Sequence, residues 1–211
     1  MLLYFSPMAC SMATRISLYE AGARAEFVEV DPKTKRTPDG ADFRSINPLG
    51  LVPTLRTDDG EVLTENAAIL QYVADQHPHA ELAPAEGLAR TRLQQWLCFI
   101  GTELHKALFA PLLDASAPAE VRDYALRKVP SRLEVVARHL ADREHLGDRF
   151  SVADAYLLTV LGWTVVTPID LRQWPSLTAY LARVRERPSV ARALREEREL
   201  YVAELARHKS A

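Results

Sequence analysis

The sequence predicts an α/β domain joined to an all-helical domain, and three observations carry that expectation. The first 76 or so residues alternate short β-rich runs with segments of helical period. An Asp-Gly pair between two apolar runs, Asp59-Gly60, signals a tight antiparallel hairpin. Beyond about residue 87 the pattern is helical to the end.

Taken in order, Leu2 to Phe5 is a short apolar run, and Ser6-Pro7-Met8-Ala9 reads as a turn. A helix follows on Met12, Ile16 and Tyr19 and stops at Gly22. Phe27 to Val30 is the next strand, so the opening is a parallel βαβ unit. A polar loop, 32–40, and a short helical stretch around Phe43 to Ile46 lead to two runs, Val52 to Arg56 and Glu61 to Leu63, that form the hairpin. A helix from Asn66 to Gln76 closes the domain, with Ala68, Ile69, Tyr72 and Val73 as its apolar stripe. The order β, α, β, then β, β, α is that of a thioredoxin-like domain, assigned to residues 1–77.

Residues 78–87 hold two prolines and little periodicity and read as a linker, leaving 88–211 as the helical domain. There Leu93, Trp96, Leu97, Ile100, Leu104 and Leu108 fall on one helical face. Further amphipathic stretches run through Val129, Leu133, Val136 and Leu140, and through Leu177, Tyr180, Leu181 and Val184. Ala155 to Ile169 is uncharged but too short to span a bilayer, and Ala155 to Val166 is expected to be a buried core helix. Ser151 and Asp154 have capping-box spacing at its start, a device worth roughly 1 kcal/mol.

With 26 basic against 28 acidic residues, a net charge of -2 and no basic stripe, a nucleic-acid partner is not expected. The N-terminal run has no positively charged n-region and meets Pro7 early, so no signal peptide is read and a cytoplasmic protein with no membrane contact is expected. The two cysteines, Cys10 and Cys98, are then expected as separate reduced thiols. His77 and His79 flank Pro78 without a carboxylate or thiol at ligand spacing, so no metal site is expected.

Cys10 is the sharpest candidate for chemistry. It follows a strand and a turn and stands where the first helix begins, where unpaired N–H groups and the helix dipole favour a thiolate. The residue three places on is Ala13, so any exchange needs a small thiol as its resolving partner, and a dithiol oxidoreductase is disfavoured. Val52-Pro53 opens a strand; a cis bond there would turn the Val52 main chain outward to pair with an extended peptide, against a plain trans edge proline. Thr64-Glu65-Asn66 opens a helix, with Thr64 or Asn66 as cap, and could receive a ligand carboxylate at the helix end and an ammonium at Glu65. On a helical wheel His105 falls with Cys98 and Thr102, off the core stripe, where it could border a cleft and accept a proton as neutral imidazole. Cys98 reads as a packing residue.

Five segments together closely resemble the cytosolic glutathione transferases, and among them the bacterial beta class. They are Tyr4 to Ser11, Asn47 to Pro53, Leu63 to Asn66, Thr102 to Lys106, and Ser151 to Asp154, and the likeness extends over essentially the full length. The resemblance implies the glutathione transferase fold, a homodimer, glutathione as co-substrate with no metal, and a small hydrophobic electrophile or mixed disulfide as the second substrate. By the same resemblance Cys10 meets the glutathione sulfur, and Lys35 lies in the loop at the glycyl carboxylate. Val52, followed by Pro53, pairs with the cysteinyl main chain, while Glu65 and Asn66 hold the γ-glutamyl head. Thr102, Glu103, Leu104 and His105 line the site from the helical domain, with Glu103 reaching across the dimer and His105 assisting thiol or water activation. Two departures stand out: Cys98 where the class often has asparagine, and Met8 where it often has glycine. The implied activity is detoxifying conjugation, glutathione-dependent thiol exchange, or both; the competing expectation is a non-catalytic binding protein on the same fold.

Overall fold

The computed structural model describes residues 1–209. Four strands, β1 (Leu2–Phe5), β2 (Glu26–Glu29), β3 (Thr54–Arg56) and β4 (Val62–Leu63), form one mixed sheet in the order β2-β1-β3-β4. β1 runs parallel to β2, with Leu3 opposite Phe27, and β3 runs antiparallel to both β1 and β4. The strand pleat sends Leu3 and Phe5 to one face and Tyr4 to the other. On the first face they join Leu18, Leu55, Ile69 and Val73 in a core; on the second Tyr4 meets Val30 and Phe43.

The helices of this unit are α1 (Ser11–Glu20) and α2 (Asn66–Gln76). α1 ends where Gly22 takes φ +62, a left-handed angle glycine adopts without steric cost, and the Ala23 N–H returns to the Leu18 carbonyl at 3.0 Å. Every residue of α1 from Ser11 to Leu18 is buried, more than one sheet face can cover. The extra cover comes from α2 and from the C-terminal helix, Pro188–Lys209, which groups with residues 1–83 in one compact unit while residues 84–187 form the second.

That grouping differs from the sequence boundary, which gave all of 88–211 to the helical domain. Leu200 packs on the core that holds Leu3, Phe5 and Leu18, and polar contacts add to it. Glu196 and Glu197 of the C-terminal helix meet Arg15 and Tyr19 of α1, Ser189 bonds Glu20, and Arg207 and His208 meet Glu29 and Asp31. The presumed linker contributes the short 3-10 turn Pro78–Ala80, with His79 bonded to the Ala21 carbonyl at 3.2 Å.

The second unit begins with α3 (Gly87–Phe99), which continues as a π-helical stretch, Ile100–Phe109, and the short α4 (Ala110–Leu113). α5 (Ala119–His139), α6 (Val152–Gly162) and α7 (Pro175–Arg185) complete it, and α8 is the C-terminal helix already described. Every residue of α6 from Val152 to Leu161 is buried, as a core helix requires. It ends at Gly162, earlier than expected, and Val165 and Val166 are exposed at 79% and 62%. The capping box forms: the Asp154 carboxylate accepts from the Ser151 N–H at 3.0 Å. It also accepts from the Ser151 hydroxyl, the Leu146 N–H and the Tyr180 hydroxyl, so it ties α7 and the loop before α6 together as well as capping α6. Among the described residues no helix is long and apolar enough to cross a membrane.

Candidate active site

In the first unit Val52 and Asn66 both meet Cys10 at the N-terminus of α1. The turn before it is pinned by its own side chains: the Ser6 hydroxyl donates to the Val30 carbonyl at 2.6 Å, and the Ser6 N–H donates to the Ser11 hydroxyl at 3.3 Å. Met8 sits at φ +60, a left-handed conformation that costs a side chain with a Cβ but not glycine. This is the physical reason a glycine suits the position. Here the conformation is held by the Met8 N–H, which donates to Glu197 of α8 at 2.7 Å.

Cys10 is the N-cap of α1 and is buried, 9% exposed. Its side chain makes no capping bond to the first N–H groups, unlike the sequence expectation. Instead the thiol donates to the Val52 carbonyl at 3.3 Å, a bond only the protonated sulfur can make. The Val52-Pro53 peptide is cis, with Pro53 buried and Val52 half-buried. Asn47 organises this loop from within: its amide donates to the Leu51 carbonyl at 2.8 Å and the Thr54 hydroxyl at 3.1 Å, and its carbonyl accepts from the Leu49 N–H.

Asn66 corrects one expectation. Its amide donates to the Cys10 carbonyl at 3.1 Å and its oxygen accepts from the Thr14 hydroxyl at 3.0 Å, so both ends of the buried side chain are used within the protein. Neither Asn66 nor Thr64 caps α2. Glu65 takes that place, exposed, at φ +66, with no capping bond from a side chain. Asn66 therefore positions Cys10, and Glu65 is the residue presented to solvent at the helix end.

Lys35 is half-buried and left-handed at φ +58, its stem against Gly50, where an added Cβ would stand 3.5 Å from the lysine chain. Burial, and then the Arg44 charge, lower its pKa, against the pull of Asp31. The Lys35 N–H donates to the Asp31 carbonyl at 2.9 Å and its own carbonyl accepts from Phe43 at 2.9 Å.

Sequence reasoning also missed the buried charge behind this site. Glu197 is fully buried, 3.0 Å from Arg15, whose guanidinium lies 4.2 Å from each of the Phe5 and Phe27 rings. Burial pushes the Glu197 carboxyl up to about 7, against the Arg15 charge and the Met8 N–H. A glutamate in an Arg-rich amphipathic helix reads as solvated, so nothing local in the sequence marks it.

In the second unit, Thr102 is exposed and donates to the Cys98 carbonyl at 2.9 Å. Leu104 is fully buried, so its side chain is a core residue and not a lining one. Glu103 pairs with Arg132 of its own chain at 3.1 Å. Cys98 is exposed, not packed as expected.

His105 is half-buried, not off the packing surface as the wheel suggested. The wheel assumed 100° per residue. Ile100–Phe109 bonds i to i+5 and so departs from that period, although Ile100, Leu104 and Leu108 keep to the core as expected. His105 Nδ1 lies 2.8 Å from the Tyr156 hydroxyl, and its ring packs against Trp163 at 4.9 Å between centroids. Burial, aided by the Lys106 charge, lowers its pKa to about 4, so the imidazole is neutral at physiological pH. Tyr156 is a second residue that sequence reasoning overlooked; an i, i+51 contact leaves no local signal.

A groove of about 700 Å³ lies elsewhere on the first unit, lined by Met1, Tyr19, Arg24, Phe27, Asp58 and Arg192, and holds none of the expected site residues. Among the described residues no group of three or more His, Cys, Asp or Glu could hold a metal ion.

Comparison with known proteins bears on the family. Residues 7–76 match the model of the glutathione S-transferase N-terminal domain, and residues 95–188 that of its C-terminal domain. The chain is 40% identical over 199 residues to the glutathione S-transferase GstA of Escherichia coli O157:H7, covering 93% of this chain and 98% of that one. A sphingomonad glutathione S-transferase solved in complex with glutathione is 47% identical with a TM-score of 0.89, over 93% of this chain and 98% of that one. The beta class glutathione S-transferase of Sphingomonas chungbukensis gives the same identity, coverage and TM-score. Two domain matches and near-complete coverage at these identities leave one conclusion: the chain belongs to the glutathione S-transferase family, in its bacterial beta class.

Proposed function

We propose that this chain is a glutathione transferase in which residues 1–83 bind glutathione and direct its sulfur to Cys10. The observation that carries the reading is the placement of the Cys10 thiol at the start of α1, 3.3 Å from the Val52 carbonyl. An extended thiol peptide pairing with the Val52 main chain in strand fashion brings its cysteinyl sulfur to that end of α1. Glu65 then takes the ligand's γ-glutamyl ammonium, Lys35 its glycyl carboxylate, and Asn66 holds Cys10 by its carbonyl.

In thiol exchange, the Cys10 thiol gives up its proton as its sulfur attacks the glutathionyl sulfur of a mixed disulfide, and the other sulfur leaves and takes up a proton. A second glutathione thiolate then attacks the Cys10–glutathione disulfide, restoring Cys10 and releasing oxidised glutathione. In conjugation, the glutathione thiolate forms a C–S bond with an electrophile whose leaving group departs with the bonding pair. His105 is the assisting group: neutral, with Nδ1 engaged by Tyr156, it acts on thiol, water or leaving group through Nε2. Family membership supports a cytoplasmic homodimer that detoxifies small hydrophobic electrophiles.

The test is turnover of wild type and Cys10→Ala with glutathione, using a generic aromatic electrophile and, separately, a small mixed disulfide. The reading expects disulfide reduction to vanish in the variant while glutathione still binds. Retained disulfide reduction in Cys10→Ala overturns the role of Cys10. No turnover of either substrate by wild type that binds glutathione favours a binding protein.

A further inference from the structure

The C-terminal turn of α8 reaches a loop that the reaction scheme leaves unexplained. His208 Nε2 stands 2.7 Å from Asp31 Oδ2, with the His208 side chain 13% exposed and that of Asp31 21%. The other Asp31 oxygen, Oδ1, accepts from the N–H groups of Lys33 at 2.9 Å and Thr34 at 2.8 Å. The Asp31 main chain finishes the loop: its carbonyl accepts from the Lys35 N–H at 2.9 Å, and its N–H donates to the Arg36 carbonyl at 3.0 Å. One residue thus ties together the run 31–36, inside which Lys35 is held at φ +58. A left-handed lysine persists only where its surroundings over-determine it.

His208 has a second acidic neighbour. Glu204, one turn back on α8, lies 3.8 Å from its Nδ1, and Arg207 beside it pairs with Glu29 at the end of β2. The imidazole therefore sits between two carboxylates, Asp31 and Glu204, with Glu29 and Arg207 neutralising one another alongside. Burial raises the Asp31 carboxyl, but the bonds from Thr34, His208 and Lys33 outweigh it and hold the group at about 2.

We propose that His208 is a positioning residue for the glycyl-carboxylate end of the glutathione site: by holding Asp31 from α8, it keeps the 31–36 loop in the conformation that presents Lys35. The proposal rests on the reading of Lys35 given above. It makes a part of the chain remote in sequence, the last turn of α8, a determinant of which thiol the protein accepts. A thiol that ends in a carboxylate at the glycyl position depends on the strap; γ-glutamylcysteine, which lacks the glycine, does not.

The experiment compares glutathione with γ-glutamylcysteine in wild type, His208→Ala, His208→Gln, Asp31→Asn and Lys35→Ala, measuring KM and kcat together with calorimetric binding of each thiol. His208→Ala is expected to raise KM for glutathione about fivefold relative to γ-glutamylcysteine, in the range of one partly buried hydrogen bond, with kcat unchanged. Asp31→Asn should do the same, and His208→Gln, which keeps an N–H donor, should recover part of the loss. Equal effects on both thiols in His208→Ala, or none, while Lys35→Ala does discriminate between them, overturns the strap and leaves the Lys35 reading intact. A Lys35→Ala variant that treats the two thiols alike overturns both, and locates the failure in the Lys35 reading. His208 lies in the last turn of α8, one residue before that helix ends, and circular dichroism of each variant separates a lost fold from a lost contact.

Discussion

Removing the Glu197 carboxylate tests the packing of α8 on α1 more sharply than any apolar substitution. Glu197→Ala takes the partner from the buried Arg15 at 3.0 Å and the acceptor from the half-buried Met8 N–H at 2.7 Å. Breaking a buried ion pair by deleting one partner costs about 3–5 kcal/mol. Arg15 keeps Glu196 at 3.4 Å and its two aromatic neighbours, which places the net loss near the lower end, about 3 kcal/mol. For a chain of 211 residues that is a drop in Tm of about 6–12 °C by scanning calorimetry.

The same residue has a pH signature. Its folded pKa of about 7 lies above the ordinary 4.5, so between those values the native state binds a proton that the unfolded chain has released. Stability from this group is full below 4.5 and is lost as pH rises to 7, by roughly 2–3 kcal/mol. Glu197→Gln, which cannot titrate, should therefore gain on wild type as pH is raised through this window. A Glu197→Ala Tm within about 2 °C of wild type, or a wild-type to Gln difference flat in pH, would refute the reasoning.

Asp154→Ala should cost about 3–5 kcal/mol in a denaturant titration, well above a simple cap, because the carboxylate serves the Leu146 and Ser151 N–H groups and two hydroxyls at once. His105 should show no imidazole titration by NMR above about pH 5, since its pKa is lowered to about 4. The unfolded chain takes up a proton near the ordinary 6.5, so stability from this group falls as pH drops from 6.5 towards 4, and His105→Phe should flatten that loss. Met8→Gly should raise stability by up to about 1 kcal/mol, because φ +60 strains methionine and not glycine; thermal unfolding checks it.

The sequence was most legible where local rules act alone. α2 has the limits the periodicity and the hairpin predict, Asn66–Gln76, and the Asp-Gly turn joins two antiparallel strands. The cis Val52-Pro53 bond and the Ser151-Asp154 box also lie where their motifs point. What failed to show was long-range. The partner of α8 depends on Glu197 meeting Arg15, residues 182 positions apart, and an amphipathic pattern names a face but not what covers it. His105 was placed off the core stripe, and the residues that half-bury it, Tyr156 and Trp163, lie more than 50 positions on and leave no mark on a helical wheel. Asn66 was read by its position at a helix start, whereas burial beside Cys10 and Thr14 decided what its amide does.

The most direct test of the central claim sets the two cysteines against each other. Cys98 is exposed and Cys10 is buried, so accessibility alone favours Cys98 for any thiol reagent. Incubation with oxidised glutathione, followed by peptide mapping, reads which sulfur forms the mixed disulfide and releases one equivalent of glutathione. A site that seats glutathione against α1 predicts modification at Cys10 ahead of Cys98, unchanged in Cys98→Ala. Modification confined to Cys98, with Cys10 untouched, would contradict the account.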